Sequence, residues 1–380
     1  MKISYLSTST LISDSANSVH VTKMCQAFAR QGHELTLHGL LGDGDEAAVF
    51  EYYSIESPIT VVRHDELADP IAGRLWALRR LSPRLCTTGL PSTMFARHCL
   101  TPLIRAAKPD LIYSRNLPWL TGLAVSVPFI VESHKPPRSR LKRLVEARIY
   151  RRPNFRKLVV ISDKLKELYV QAFPWLEDRI VVAHDAADDP HPDKYGESRQ
   201  SGFNVGYVGH LYDGRGVDII LEVAKALPEA TFHLVGGRKE DQCRLIASGA
   251  SDNVIFHGHM PPHRLPDHYA NFDAVLAPYQ RRVSVAGNRD DTSAYMSPLK
   301  IFEYMSWAKP ILCSDLPVLR EVLDNGQNAV LLPPDSVTAW TDAVRRLLND
   351  EKERKRLGAQ ARKDFLQYHS WSIRAKSVLE

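Results

Sequence analysis

Cysteine is scarce in this chain of 380 residues, and its placement argues against the usual covalent and metal cross-links. The chain has 5 cysteines, an odd number at wide spacing, and no Cys-x-x-Cys pair. A disulfide framework needs paired cysteines, and a structural zinc site needs closely spaced ones. The sequence therefore favours a reducing compartment, and we expect a cytoplasmic protein.

Long hydrophobic runs are also missing. No stretch approaches the roughly 18 apolar residues that a bilayer-spanning helix requires. The N-terminal residues, MKISYLSTST, lack the apolar core of a signal peptide and instead predict a first strand. We expect a protein that is soluble, or peripheral at the inner face of a membrane.

Positive charge is in small excess over the whole chain but is concentrated in one segment. The net charge is only +5, yet residues 135–157 contain ten Lys or Arg residues and a single acid, Glu146. Two interpretations stay open at this point. The segment is either a solvated helix face or a surface that binds anionic lipid or phosphate.

What the sequence does contain is a regular alternation of short apolar runs with helical stretches. The chain is long enough for two domains, and alternation of this kind predicts parallel sheets wrapped by helices. A first series of strands comprises KISYLS, ELTLHGL, ITVVR, DLIYS, PFIVES and KLVVIS. A second series comprises FNVGYVG, ATFHLVGG, NVIFHG, DAVLAPY, KPILCS and NAVLLP.

A polar, Asp-rich stretch from Asp185 to Gly202 separates the two series and predicts an interdomain linker. The expected architecture is α/β, with two doubly wound, Rossmann-like domains that face each other across a cleft. We place the first domain at residues 1–190 and the second at 191–365. Because ligands in such sheets bind beyond the carboxyl ends of the strands, the loops that follow KISYLS, PFIVES, FNVGYVG and DAVLAPY are the candidates for function.

The loop at residues 206–216, GYVGHLYDGRG, combines four glycines with His210 and Arg215. Glycine lets a backbone approach a ligand closely, and the helix that follows presents free N–H groups suited to an anion. The loop matches neither the Gly-x-Gly-x-x-Gly dinucleotide pattern nor a Walker loop. It predicts either a diphosphate site or a tight turn with exposed basic residues.

A second candidate is the segment SPLKIFE, from Ser297 to Glu303. Ser297 is expected to be the N-cap and Pro298 the first-turn residue of a helix, so that the N–H groups of Leu299 and Lys300 can bind an anion. Glu303 lies one turn further on and could accept hydrogen bonds from the two hydroxyls of a ribose. The alternative for Glu303 is a solvated charge.

With these residues in view, the sequence resembles glycosyltransferase family 4, which comprises retaining enzymes of the GT-B fold. SANSVHVTKMCQAFARQGHELTL resembles the first loop and helix of that family, and GYVGHLYDGRGVDIIL resembles its phosphate loop. SPLKIFEYMSWAKPILCSDLPVLREVL resembles its donor-binding helix. HSWSIRAKSVL resembles its closing helix, which implies that residues 366–380 cross back to the N-terminal domain.

The resemblance implies a donor-binding C-terminal domain, an acceptor-binding N-terminal domain, and roles for individual residues. Glu303 would bind ribose hydroxyls, and His134 would lie near the reacting sugar. We therefore take His134, Arg215 and Glu303 as the catalytic candidates. The implied donor-binding residues are Gly209, His210, Arg215, Ser297, Pro298, Leu299, Lys300 and Glu303. The implied first-domain loop consists of Ser15, Ala16 and Asn17, of which Asn17 is the expected direct contact.

Two positions depart from the pattern of that family. His210 stands where an arginine is commoner, and Tyr295 stands where many members have a second glutamate. That glutamate contacts the sugar, so Asp290 or Asp291 would have to compensate. Asp188, Asp189, Asp290 and Asp291 otherwise read as polar connections, and we expect no metal and no cofactor.

The implied reaction transfers a hexose-type sugar from a UDP- or GDP-linked donor to a glycan, lipid-linked or small-molecule acceptor, with retention of configuration. Polysaccharide or glycoconjugate biosynthesis is the expected context, and no nucleic-acid partner is expected. Rival interpretations are a GT-B-fold sugar-nucleotide epimerase or phosphorylase, an NAD-dependent oxidoreductase, and a non-catalytic nucleotide-sugar-binding protein. The oxidoreductase is disfavoured because the fingerprint loop and its acidic partner are missing.

Overall fold

The computed structural model describes residues 1–13, 15–40, 45–78, 81, 89–190, 201–284 and 291–380. The chain divides into two compact units. The first comprises Met1–Ala183 together with Ala375–Glu380, and the second comprises His184–Arg374. Among the described residues, no helix has the length and apolar character that a membrane crossing requires.

The first unit is built on a seven-stranded parallel sheet with the order β3-β2-β1-β4-β5-β6-β7. Its strands are β1 (Lys2–Thr10), β2 (Glu34–Leu40), β3 (Thr60–His64), β4 (Leu111–Ser114), β5 (Phe129–Ser133), β6 (Phe155–Val160) and β7 (Ile180–Val182). Its helices are α1 (Ala16–Arg30), α2 (Glu46–Tyr53), α3 (Pro70–Ala77), α4 (Leu90–Phe95), α5 (Thr101–Ala107), α6 (Leu117–Gly122), α7 (Arg140–Tyr150) and α8 (Asp163–Ala172). A π-helical turn at Ala96–Leu100 joins α4 to α5, and a 3-10 turn lies at Pro174–Arg179.

The second unit is built on a six-stranded parallel sheet with the order β10-β9-β8-β11-β12-β13. Its strands are β8 (Phe203–Val208), β9 (Ala230–Val235), β10 (Val254–Gly258), β11 (Ala274–Ala277), β12 (Ile311–Ser314) and β13 (Ala329–Leu332). Its helices are α9 (Val217–Ala226), α10 (Lys239–Ala247), α11 (Leu265–Asn271), α12 (Leu299–Ser306), α13 (Val337–Asn349) and α14 (Glu351–Asp364). The last helix, α15 (Trp371–Leu379), follows a π-helical turn at Phe365–His369 and runs into the segment grouped with the first unit.

The predicted α/β fold with two parallel sheets is confirmed, and each of the twelve predicted apolar runs contains a strand. The pattern succeeds because strands buried on both faces are almost continuously apolar. Every residue of β4, β8, β11, β12 and β13 is buried. The short edge strand β7 was not predicted, because three residues carry too little pattern to be recognised.

The units divide at Ala183 and His184, earlier than the predicted boundary after residue 190. The start of the proposed linker is held inside the second unit. The backbone N–H of Asp185 donates to Ser297 Oγ at 2.8 Å, and Asp189 accepts from Arg362 at 2.6 Å. Polar composition suggested a solvated connection, but both residues are hydrogen-bonded to the second unit, Asp185 through its backbone and Asp189 through its side chain. The rest of that stretch, residues 191–200, lies outside the described residues.

In each sheet the direction of winding reverses between two neighbouring strands. The reversal lies between β1 and β4 in the first unit and between β8 and β11 in the second. Loops that leave the carboxyl ends of such strands diverge and leave room for a ligand. The candidate residues of the second unit therefore belong at the ends of β8 and β11.

Candidate functional site

The loop after β8 is shaped by glycines that no other residue could replace without a clash. Gly209 has φ +145°, and its N–H donates to Val235 O at 2.9 Å. A Cβ at Gly214 would lie 2.1 Å from Arg282 O, and a Cβ at Gly216 would lie 1.8 Å from Pro278 O. The glycines thus allow the loop to lie directly against the backbone that follows β11.

This close approach places Arg215 beside the ring of Tyr279. The guanidinium carbon lies 5.4 Å from the ring centroid. Arg215 Nε is buried and has no hydrogen-bond partner within the part of the chain that the structure describes. A guanidinium presents its donors in a fixed planar fork, and a buried N–H without an acceptor is costly, so this donor is available to an anion.

Helix α12 is fixed across the reversal point by Tyr304. Its hydroxyl accepts the N–H of Val208, at the end of β8, at 3.0 Å and donates to Leu276 O, in β11, at 3.2 Å. Ile301, Phe302 and Met305 are buried in the core. The first turn of α12 consequently lies at the ends of both strands.

Lys300, in that first turn, is a buried cation. Its side chain is 8% exposed, and Nζ lies 3.7 Å from the centroid of the Tyr207 ring and 5.3 Å from that of Tyr279. Burial, and next the charge of Arg215, hold the pKa of Lys300 well below its ordinary value, against a smaller opposing effect of Glu303. Two basic side chains thus lie near the ring of Tyr279, an arrangement that an anion would stabilise.

The predicted role of Ser297 as N-cap is wrong. The N-cap of α12 is Pro298, with extended backbone and no side-chain cap. Ser297 is buried, and its hydroxyl accepts the N–H of Asp185 instead. Because the cap supplies no acceptor, the N–H groups of Leu299 and Lys300 remain at an uncapped helix start, where backbone donors have no intrahelical acceptor.

Glu303 is half-buried and hydrogen-bonded, which disfavours the solvated-charge interpretation. Its Oε2 accepts from the hydroxyl of Tyr269 at 2.6 Å. Tyr269 is itself buried on α11, and burial together with Glu303 raises its pKa. The bond fixes one carboxylate oxygen of Glu303 one turn beyond Lys300.

The residues that depart from the family pattern lie around this cluster. The imidazole of His210 stacks on Tyr212 with centroids 4.6 Å apart, which keeps it on the loop. Tyr295 is buried in the core, 4% exposed. Burial alone would raise the pKa of Asp291, but the N–H groups of Ser293 and Val283 donate to its carboxylate and hold the pKa below its ordinary value. Asp291 therefore organises its own loop, and Asp290 lies outside the described residues.

In the first unit, the predicted loop residues lie at the start of α1. Ser15 is the N-cap and accepts the N–H of Asn17 at 3.2 Å, and Ala16 is the first helical residue. The side chain of Asn17 donates to the hydroxyl of Ser9, at the end of β1. This bond ties the start of the helix to the carboxyl end of the strand.

His134 lies just past β5 and contacts a carboxylate that the sequence analysis did not single out. Its Nε2 lies 2.5 Å from Oε1 of Glu132, and Nε2 of His20 lies 2.7 Å from the same oxygen. The hydroxyl of Tyr113 donates to Oε2, and Arg115 Nε lies 3.9 Å from Oε1. A signal was present in the sequence, because Glu132 interrupts the otherwise apolar run PFIV, where a charge is rarely buried without partners.

Comparison with known families agrees with this geometry. Residues 18–189 match the family model described as Glycosyltransferase Family 4, and residues 202–350 match the one described as Glycosyl transferases group 1. The chain belongs to glycosyltransferase family 4. The two matches cover most of both units, so membership does not depend on one motif.

Curated relatives of this family 4 chain are distant. It is 23% identical over 272 residues to α-D-kanosaminyltransferase of Streptomyces kanamyceticus, over 64% of the chain and 67% of the relative. It is 24% identical over 182 residues to D-inositol 3-phosphate glycosyltransferase of Xylanimonas cellulosilytica, over 46% of the chain and 40% of the relative. An uncharacterized glycosyltransferase of Methanocaldococcus jannaschii is 24% identical over 65% of the chain and 66% of the relative. The matches thus span about two thirds of two of these relatives and under half of the third.

Solved structures share the fold of this family 4 chain over its whole length. HepE of Anabaena, solved in complex with UDP and glucose, has a TM-score of 0.66 at 18% identity, with 100% of this chain and 98% of that chain covered. Sucrose-phosphate synthase of Thermosynechococcus elongatus has a TM-score of 0.68 at 15% identity, with 99% and 96% covered. At this identity the likeness concerns the GT-B fold alone.

Proposed function

We propose that this protein is a retaining glycosyltransferase that moves a hexose-type sugar from a nucleoside diphosphate to an acceptor hydroxyl. The observation that carries the proposal is the pairing of Lys300 and Arg215 against Tyr279 at the end of β11. Lys300 is buried and Arg215 is half-buried, and two basic side chains so close together are costly unless an anion accompanies them. A diphosphate supplies that anion and is also the leaving group of a nucleotide sugar.

The same groups suit the transition state. As the bond between the sugar C1 and the diphosphate oxygen breaks, negative charge grows on the leaving group while the acceptor oxygen bonds to C1. The acceptor's proton passes to the departing diphosphate on the same face of the sugar, which retains the configuration. Prearranged donors at such a developing charge are worth roughly 3–4 kcal/mol each.

Glu303 completes the donor site by recognising the ribose. A carboxylate can accept two hydrogen bonds at once, which suits the vicinal hydroxyls of a ribose, and the bond from Tyr269 to Oε2 fixes the position of this carboxylate. Glu303→Ala should therefore lower the affinity for a nucleoside diphosphate about tenfold, whereas unchanged binding by calorimetry would remove the ribose contact from this account.

The proposed reaction needs no metal, because Lys300 and Arg215 supply the positive charge that a cation would otherwise provide. Transfer should persist in excess EDTA and should not rise when Mg²⁺ or Mn²⁺ is added. A rate that depends on either ion would refute this part of the proposal.

The donor is best identified by a thermal-shift screen with UDP, GDP and their sugars, followed by product analysis. UDP is the first candidate, since HepE was solved with it. A preferred donor together with transfer to an acceptor supports the proposal. Epimerisation without an acceptor would identify an epimerase, and binding without any turnover would identify a nucleotide-sugar-binding protein.

For the acceptor we propose a glycan or a lipid-linked sugar presented at an anionic membrane surface. The exposed face of α7 combines the cations Arg140, Arg143 and Arg148 with Leu141 and Leu144, which are 56% and 64% exposed. Cations with neighbouring apolar side chains match an anionic lipid surface. The proposed location is cytoplasmic, at the inner membrane face.

Liposome flotation tests this surface. Wild type should float with vesicles that contain anionic lipid and should stay behind with neutral vesicles. The double variant Arg140→Glu, Arg143→Glu should lose flotation, while the control Arg281→Glu, at an exposed position of the second unit, should retain it. Equal recovery with both kinds of vesicle would leave α7 a solvated face.

A further inference from the structure

Glu132 is an ionisable side chain enclosed in the first unit. It occupies the fourth position of β5, and its side chain is 0% exposed. One carboxylate oxygen contacts two imidazoles, of His134 at 2.5 Å and of His20 at 2.7 Å. The other oxygen accepts from Tyr113. A buried carboxylate persists only with such partners, so the arrangement has a definite stability cost that a function must justify.

Glu132 contacts both imidazoles directly, but the two contacts differ. The separation of 2.5 Å between Nε2 of His134 and Oε1 of Glu132 is that of a hydrogen bond. Nε2 of His20 lies 2.7 Å from the same oxygen but outside hydrogen-bond geometry. Glu132 therefore acts chiefly on His134.

We propose that Glu132 is a positioning residue that fixes the tautomer and orientation of His134 for glycosyl transfer. The inference rests on the proposed function, in which His134 lies beside the reacting sugar. A carboxylate only accepts hydrogen bonds, so its bond with His134 requires the hydrogen on Nε2 of that imidazole. A histidine held in this way is restricted to one tautomer and one ring orientation.

The surrounding residues hold the carboxylate itself in place. Tyr113 lies in β4, the neighbour of β5, and Arg115 comes directly after β4, so the sheet sets their spacing from Glu132. His20 packs edge-on against His134, with centroids 4.9 Å apart and ring planes at 86°. The imidazole of His134 is thus restrained at its Nε2 atom and on one face.

The test compares Glu132→Gln with a matched control, Glu66→Gln. Glu66 is also a buried, hydrogen-bonded carboxylate of the first unit, with Trp119 Nε1 at 2.7 Å and Ser92 Oγ at 3.0 Å. Long-range ¹H–¹⁵N spectra of the full-length protein report which nitrogen of His134 carries the proton. We expect the Nε2–H form in wild type and in Glu66→Gln, and a mixture of tautomers in Glu132→Gln.

Kinetics supply the second readout. Glu132→Gln should lower kcat about 10- to 100-fold, as is typical when the orienting partner of a histidine is removed, and should leave the donor KM within about twofold. The double variant with His134→Ala should be no slower than His134→Ala alone, because Glu132 acts through that imidazole. Additive losses would overturn the proposal.

A milder variant guards against misfolding. Tyr113→Phe removes only the donor to Oε2 and should give a smaller loss of kcat in the same direction. The outcomes separate the two proposals. If no variant changes the tautomer of His134, the positioning role is wrong while transfer itself still stands. If wild type shows no transfer with any nucleotide sugar but Glu132→Gln does change the tautomer, the proposed function fails and the Glu132 contact survives as structure.

Discussion

The two units place their charged groups at the same kind of position, near the carboxyl ends of parallel strands, but they balance the charge in opposite ways. In the first unit the carboxylate of Glu132 lies among Tyr113, Arg115 and two imidazoles. In the second unit the cations Lys300 and Arg215 share the ring of Tyr279, and the nearby carboxylate of Glu303 is engaged by Tyr269.

The difference indicates that the charged groups of the two units have different roles. A buried charge that is surrounded by protein partners orients those partners, whereas two neighbouring cations that share one aromatic ring favour an anion from outside. We infer that the second unit provides the diphosphate site and that the first unit provides an oriented imidazole. Four predictions test this contrast, from the largest expected effect to the smallest.

Removal of the guanidinium in the second unit should have the largest effect. Arg215→Ala should reduce transfer about 100- to 1000-fold, because it deletes one prearranged donor at the leaving group. Arg354→Ala is the control, since that arginine also lies over a ring, Phe203, at 5.2 Å. Steady-state rates decide the matter, and near-normal transfer in Arg215→Ala would contradict the assignment.

Lys300→Met should separate binding from stability. The variant removes a buried charge but keeps an apolar stem of similar length, so the unliganded protein should be as stable as wild type or more stable. The rise in Tm produced by a nucleoside diphosphate should disappear. A less stable protein that still responds fully to the ligand would show that Lys300 is structural.

Gly209→Ala tests the closeness of the loop to Lys300. A Cβ there would lie 2.8 Å from Lys300 Nζ, at a backbone φ of +145°. Gly202→Ala is the matched control. Gly202 also has a positive φ, +96°, but a Cβ added there would have no atom within 4 Å. Both changes should cost about 1–2 kcal/mol of stability through the backbone, but only Gly209→Ala should weaken diphosphate binding by calorimetry.

The smallest expected effect concerns a stacked pair of histidines that occurs in both units. A stacked histidine pair crosses the corresponding strands of each sheet, His38 with His64 across β2 and β3, and His233 with His257 across β9 and β10. Burial, and next His64, lower the pKa of His38 from 6.5 to about 3. Burial, and next His268, lower that of His257 from 6.5 to about 4.

Because the folded pKa values lie below those of the unfolded chain, the unfolded chain binds more protons between about pH 6.5 and 4, and stability falls as the pH falls through that window. His38→Gln and His257→Gln should each reduce the loss of unfolding free energy between pH 7 and 5 by roughly 1 kcal/mol, with the larger effect for the more buried His38. Urea titrations at pH 7 and pH 5 measure the free energy of unfolding, and His263→Gln, at an exposed position, is the control. Burial raises the pKa of Glu146 to about 7, so this carboxyl makes the free energy of unfolding change with pH in the opposite direction. The effect of each histidine is therefore taken as the difference between the variant and wild type, in which the contribution of Glu146 cancels. If the free energy of unfolding depends on pH in both variants as it does in wild type, the histidine pairs are not the cause of that dependence.

The sequence predicted the two sheets well and the details of the site only in part. Apolar runs bounded by polar loops identify buried parallel strands, so twelve strands were predicted. Ser297 was misassigned because Ser-Pro is a common helix start, and its competing bond to Asp185 arises from a residue far away in the chain.

The partners of the site residues could not be predicted for the same reason. Tyr269 reaches Glu303 from α11, and Tyr207 contacts Lys300 from β8, and no local pattern links them. Glu132 was within reach of sequence reasoning, since a carboxylate inside an apolar strand calls for buried partners. Their identity, His20 and Tyr113, required the topology that makes β4 the neighbour of β5.

Calorimetric titration of a nucleoside diphosphate into wild type, into the double variant Arg215→Ala, Lys300→Met, and into Glu132→Gln tests the central contrast most directly. We expect wild type and Glu132→Gln to bind with the same affinity and the double variant to show no measurable binding. Equal binding by all three proteins, or loss of binding in Glu132→Gln alone, would contradict the assignment of the diphosphate to the second unit.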